Sequence, residues 1–229
     1  MRIIAIETSG QAGSVAALEA MGSELRLLRE ATLSGGSRTA QSLAPLTRQL
    51  LADAGWSAKS IELVAVAVGP GSFTGLRIGV TMAKTFAYVV EAQIIGINTL
   101  EVVADQARIA AGALWAVMDA QRQELFAAKF VAVAKSQRMT LATETRVVSQ
   151  ADWLAALEPA DTVIGPGLRR LVALPPSGIA IADESLWQPM ASTVGRVGWR
   201  DFEAGRRDDV WKLMPHYFRA SAAEEKLRR

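Results

Sequence analysis

The chain reads as an α/β protein of two related lobes, and three observations predict it. Short, nearly continuous apolar runs of strand length alternate with stretches of helical periodicity. Each half opens on an apolar strand that ends at an acid, Glu7 in the first and Asp119 in the second, and then turns through small or polar residues into a second strand. Of the 229 residues, 50% are hydrophobic and 21% charged, which is the composition of a chain with a core to bury. The repeated strand–turn–strand pattern is a weak internal duplication. It sets the expected lobes at residues 1–111 and 112–229.

The elements follow in order. Residues 2–7 are a strand buried on both faces, and 14–18 and 25–33 complete a three-strand meander. In the next helix Ala40, Leu43, Ala44, Thr47, Leu50, Leu51 and Ala54 recur at the 3.6 period. It starts at Ser42, with Pro45 in its first turn, or near Ser37 with a bend at Pro45. Gly55 ends it. Residues 61–68 are small and β-branched, as a central strand requires. A helix over 76–90, a strand over 93–97 and a helix capped by Asn98 or Thr99 close the first half. In the second half strands are expected over 114–119, 124–132, 139–148 and 161–164. Helices are expected over 149–157 and 190–202.

Composition excludes several chemistries. There is no cysteine, so disulfides, thiolate metal sites and a cysteine nucleophile are ruled out. The single histidine, His216, rules out any site that needs two imidazoles. No catalytic residue and no metal ligand set is therefore assigned. Net charge is +2, so there is no broad basic field. From Arg196 onward nine Lys/Arg face six Asp/Glu, and the tail 224–229 either grazes a phosphate backbone or frays into solvent. No apolar run approaches the roughly 18 residues of a membrane helix. The early charge at Glu7 argues against a signal peptide. The expectation is a cytoplasmic protein with no membrane partner.

The run Gly69-Pro70-Gly71-Ser72-Phe73-Thr74-Gly75 lies between a strand and a helix. Such a turn lets successive backbone N–H groups and a helix N-terminus converge on one point. Thr8, Ser9, Gly69, Gly71, Ser72 and Thr74 are the candidate anion or nucleotide contacts. A tight turn whose N–H groups are satisfied internally explains the run equally well. It is neither a Walker loop nor a nucleophile elbow, since no Lys-Ser/Thr follows and Pro70 breaks the Gly-x-Ser-x-Gly pattern. In the helix that follows, Gly75, Gly79, Ala83 and Ala87 form a smooth stripe that allows close backbone approach. It either packs on its own sheet or also offers a face to a partner.

The opening Ile-Ala-Ile-Glu-Thr-Ser, the strand and glycine turn from Val66 to Gly79, and Gly96-Ile97-Asn98-Thr99-Leu100 resemble the TsaB (YeaZ) family in order and spacing. The strand 116–119 and the late Pro215-His216-Tyr217-Phe218-Arg219 resemble its second half. The resemblance implies a two-lobed actin/Hsp70/sugar-kinase-like (ribonuclease H-like) fold with mixed sheets flanked by helices. It implies a non-catalytic subunit in the complex that places threonylcarbamoyl on N6 of the tRNA adenosine following the anticodon. The implied partners are the catalytic TsaD-type subunit and a TsaE-type ATPase, with tRNA met through the complex and a homodimer when alone. The implied partner face carries Leu43, Leu46, Thr47 and Leu50 of one helix with Leu76, Gly79, Val80 and Ala83 of the other. No cofactor is required by this chain itself, ATP/ADP and Mg entering at the assembled complex. Two positions depart from the family pattern: Glu7 stands where many relatives have Asp, and Thr39 where a His often precedes the first-helix proline. The alternative reading is a stand-alone actin-like ATPase or small-molecule kinase, with Glu7 or Asp119 on magnesium and the glycine turn on phosphates.

Overall fold

The computed structural model describes residues 1–33, 39–133 and 138–219. The alternative helix start at Ser37 and the basic tail 224–229 lie outside the described residues. Along the first half run β1 (Arg2–Glu7), β2 (Ser14–Met21), β3 (Glu24–Thr32), α1 (Thr39–Asp53), β4 (Leu63–Gly69), α2 (Phe73–Val90), β5 (Gln93–Asn98) and α3 (Thr99–Ala107). The second half holds β6 (Ala113–Asp119), β7 (Glu124–Val133), β8 (Arg138–Ser149), α4 (Gln150–Ala155), β9 (Thr162–Ile164), β10 (Ala180–Ile181) and α5 (Ala191–Glu203).

The duplication seen in sequence is a duplication of topology. One sheet has the order β3-β2-β1-β4-β5 and the other β10-β9-β6-β7-β8. Read from the opposite edge, the second order repeats the first: an antiparallel meander, then two parallel strands reached by crossovers. β1 pairs antiparallel with β2 and parallel with β4, as β6 does with β7 and β9. The central strands are apolar between their ends because both faces are covered, and β4 is buried along its whole length.

The chain order does not set the compact units. One unit comprises residues 1–98 and 189–216, the other 99–188 and 217–229. The expected boundary at 111/112 therefore misassigns α3, which packs on β6, and α5, which packs on β1 and β4. The N-terminus of α5 is satisfied inside the first unit. Ala191 N–H donates to Ser14 Oγ at 2.9 Å and Ser192 N–H to Glu30 Oε1 at 2.8 Å, occupying donors that a helix start leaves open.

Two element starts move from expectation. α1 begins at Thr39 with Pro45 inside it, so neither Ser42 nor a first-turn proline marks its start. α2 begins at Phe73, three residues earlier than expected, because Ser72 caps it and its Oγ accepts from Gly75 N–H at 3.2 Å. In the second unit Asp161 is buried and gathers Trp115 Nε1–H at 3.1 Å, Glu158 N–H at 2.9 Å and Lys129 Nζ at 3.3 Å.

Candidate functional site

The site region of the first unit is the turn Glu7-Thr8-Ser9 with the glycine loop laid over it. β1 ends at Glu7, whose side chain is fully buried. Ser9 donates its N–H to Glu7 Oε1 at 2.6 Å, and its hydroxyl donates to the same oxygen. Oε2 has no hydrogen bond among the described residues. Burial pushes the Glu7 carboxyl up to about 7, against the opposing pull of the Ser9 donors and the Gly10 amide.

The glycine loop closes on this turn. Ser72 N–H donates to Ser9 O at 2.8 Å. A Cβ at Gly71 would come within 2.6 Å of Ser9 Cβ, and Gly71 has φ +154°, so both space and conformation demand glycine there. Further along, Cβ atoms at Gly75 and Gly79 would strike Thr8 O and Thr8 Oγ1. Gly75 N–H is taken by Ser72 Oγ and Leu76 N–H by Ser72 O at 2.8 Å. Of the two sequence readings of this run, the tight turn with internally satisfied N–H groups is the one the geometry supports.

The six candidate anion contacts accordingly divide. Thr8 and Ser9 are buried beneath the loop, and Gly69 and Gly71 are in close backbone contact with His216 O and Ser9. Ser72 and Thr74 are exposed, with Ser72 Oγ occupied as the helix cap. Three donors of the loop and helix start, the N–H groups of Ser72, Gly75 and Leu76, are already used within the protein. Asp119 is exposed, and its Oδ1 accepts from Gln121 N–H at 2.8 Å, which makes it a turn cap.

The eight helix positions assigned to a partner face are also placed by the structure. Leu43, Thr47, Leu50, Leu76, Gly79, Val80 and Ala83 are buried in the fold of the isolated chain, and Leu46 is half-buried against the same core. The period that picks them out marks the face turned toward the sheet and the Thr8 turn. The outward face of α2 carries Thr74, Arg77, Thr81, Thr85, Tyr88 and Val89, and that of α1 carries Ala44, Pro45, Arg48 and Ala52.

Sequence reasoning did not foresee the return of residues 204–216 to this unit. Arg206 Nη2 donates to Gly96 O at 2.6 Å and pairs with Asp208 at 2.9 Å, and Asp208 Oδ2 accepts from Gly96 N–H at 2.8 Å. Lys84 Nζ on α2 donates to the carbonyls of Trp211 and Leu213 at 3.1 and 3.0 Å. His216 N–H donates to Val68 O at 2.7 Å. The one sequence signal was Gly96, a glycine inside an apolar strand. A Cβ there would reach Leu213 Cδ1 at 2.7 Å.

The duplicated meander-and-crossover sheets define an α/β protein of two topologically related units. Its architecture is that of YeaZ from Pseudomonas aeruginosa, with a TM-score of 0.77 over 94% of this chain and 99% of that one at 22% identity. The family model described as TsaD, tRNA N6-adenosine threonylcarbamoyltransferase, matches residues 36–173. The chain belongs to that family, on its TsaB (YeaZ) branch. The tRNA threonylcarbamoyladenosine biosynthesis proteins TsaB of Bacillus subtilis and Escherichia coli are each 28% identical to it. Both align over 99% of this chain, and over 97% and 98% of their own lengths.

Proposed function

We propose that this chain is the non-catalytic subunit of the assembly that transfers threonylcarbamoyl to N6 of the adenosine following the anticodon in tRNA. It binds and supports a catalytic TsaD-type subunit. The observation that carries the pathway is the end-to-end likeness to two proteins named TsaB. The non-catalytic role is supported by the burial of the Glu7–Ser9 turn, where Glu7 Oε1 takes both Ser9 donors and Ser9 O takes Ser72 N–H. A single histidine and no cysteine rule out a metal centre built on two imidazoles or on thiolates. The stand-alone ATPase or kinase reading needs loop N–H groups open to phosphate, and those of Ser72, Gly75 and Leu76 are taken.

The partner face in this reading is the outward side of α1 and α2, with Thr81, Thr85 and Val89 at its centre. Alone, the chain pairs with itself through the same face; in the assembly it meets the TsaD-type subunit there, with a TsaE-type ATPase joining the pair. ATP and Mg act on those partners, and the protein works in the cytoplasm, where tRNA is modified. The experiment is reconstitution of tRNA threonylcarbamoylation from purified TsaD-type and TsaE-type proteins with and without this chain. Transfer that depends on its presence, with none from the chain alone, is expected. Full transfer in its absence would refute the reading.

A further inference from the structure

The returning segment 204–216 closes a cavity of about 370 Å³ in the first unit. Val68, Gly96 and Leu213 line it beside Arg207, Lys212 and His216. The carboxylates nearby are already engaged. Asp208 Oδ2 accepts from Gly96 N–H and Arg206, and Asp209 Oδ1 accepts from Trp211 N–H at 2.8 Å. Arg206 is likewise consumed by Gly96 O, Asp201 and Asp208.

Arg207 and Lys212 keep donors to spare. Arg207 uses only Nη1, on the carbonyls of Phe202 and Arg206, which leaves Nε and Nη2 without a partner among the described residues. Its guanidinium is held over the Phe202 ring with 3.4 Å to the centroid, so the fork is already positioned. Lys212 has only Asp209, at 3.8 Å, and its side chain is 86% exposed. The His216 imidazole makes no hydrogen bond among the described residues, while its backbone is fixed on Val68 O.

We propose that this cavity binds the phosphate group of a nucleotide. A guanidinium fork, an ammonium and an imidazole among the residues that line one cavity suit the several oxygens and high charge of a phosphate. The volume exceeds that of the phosphate and leaves the apolar wall of Val68 and Leu213 for the attached nucleoside. The phosphate is carried by a free nucleotide or by RNA. This site is independent of the partner-subunit reading and of the sealed turn at Glu7.

The test uses the full chain and calorimetric titration with inorganic phosphate, adenosine, 5′-AMP and a short RNA hairpin. 5′-AMP or the hairpin should bind, and adenosine should not. The exposed double substitution Lys212→Glu with His216→Ala should weaken binding at least about tenfold while leaving the melting temperature unchanged. If that pair unfolds the chain, Lys212→Gln alone should still weaken binding by several-fold. Binding of 5′-AMP alone assigns a free nucleotide. Binding of the hairpin alone, weakening steeply with salt, assigns RNA. The proposal is overturned if none of the phosphate-bearing probes binds, if adenosine binds as tightly as 5′-AMP, or if the folded variants bind like the wild type.

Discussion

Gly79 on α2 lies against the hydroxyl of Thr8, and a single added Cβ would collide with Thr8 Oγ1. That hydroxyl is buried and has no hydrogen-bond partner among the described residues. The smooth stripe on α2 is therefore filled by the chain's own β1–β2 turn. Gly79→Ala sets two effects against each other: a helix-propensity gain of about 1 kcal/mol and an overpacking cost of about 1–3 kcal/mol. Because the contact is with a short side chain on a sealed turn, overpacking wins and the variant is destabilised. In a Thr8→Ala background the colliding oxygen is gone, and Gly79→Ala becomes neutral or mildly stabilising. A double-mutant cycle by urea denaturation checks this, and additive single effects would refute the contact.

Glu7 makes stability fall as pH rises. Its carboxyl titrates near 7 in the fold, against an ordinary 4.5, because burial penalises the charge. Between those values the folded chain holds the proton more tightly than the unfolded chain does. Its share of stability is present in full below about pH 4.5 and is lost as pH rises through about 7, an effect of about 3 kcal/mol at most. Glu7→Gln keeps an oxygen for Ser9 to donate to and removes the titration. Between pH 5 and 8 the wild type should lose stability relative to this variant. Parallel pH profiles would contradict the assignment.

The two sides of α2 and α1 should separate folding from assembly. Leu50→Ala, inside the core, is expected to destabilise the chain by about 2–5 kcal/mol. Thr81→Arg is on the outward face and should leave the melting temperature within a degree or two while reducing association with the TsaD-type subunit at least tenfold. Intact association by a folded Thr81→Arg chain would move the interface elsewhere.

Asp161 organises the second unit. Asp161→Ala leaves Trp115 Nε1–H and Glu158 N–H without their shared acceptor, while Lys129 keeps Glu158 Oε2 at 2.6 Å, at a cost of about 2 kcal/mol. Thermal unfolding followed by circular dichroism reads this loss. A loss below about 0.5 kcal/mol would show the cluster to be incidental.

What was legible in the sequence were the features that local pattern encodes. β1 and β4 were readable because a strand covered on both faces must be apolar between its ends. The topological repeat was readable from the two acids that end β1 and β6. The start of α2 was displaced because Ser72 belongs at once to the glycine run and to the helix cap. β10 has two residues and left no pattern to find. Periodicity showed that Gly75, Gly79 and Ala83 share a face but could not say what fills it, since Thr8 is remote in sequence. The same limit hid the placement of α5 and residues 204–216 in the first unit. That placement depends on Ser14, Glu30, Gly96 and Val68 accepting or donating bonds across long stretches of chain.

The most direct test of the central claim is size-exclusion chromatography with light scattering, on this chain alone and mixed with the TsaD-type protein of the same organism. A homodimer that converts to a heterodimer on mixing, and fails to do so with Thr81→Arg, is the predicted result. A chain that keeps its own mass and elution in the presence of the TsaD-type protein would contradict the assignment of a partner subunit.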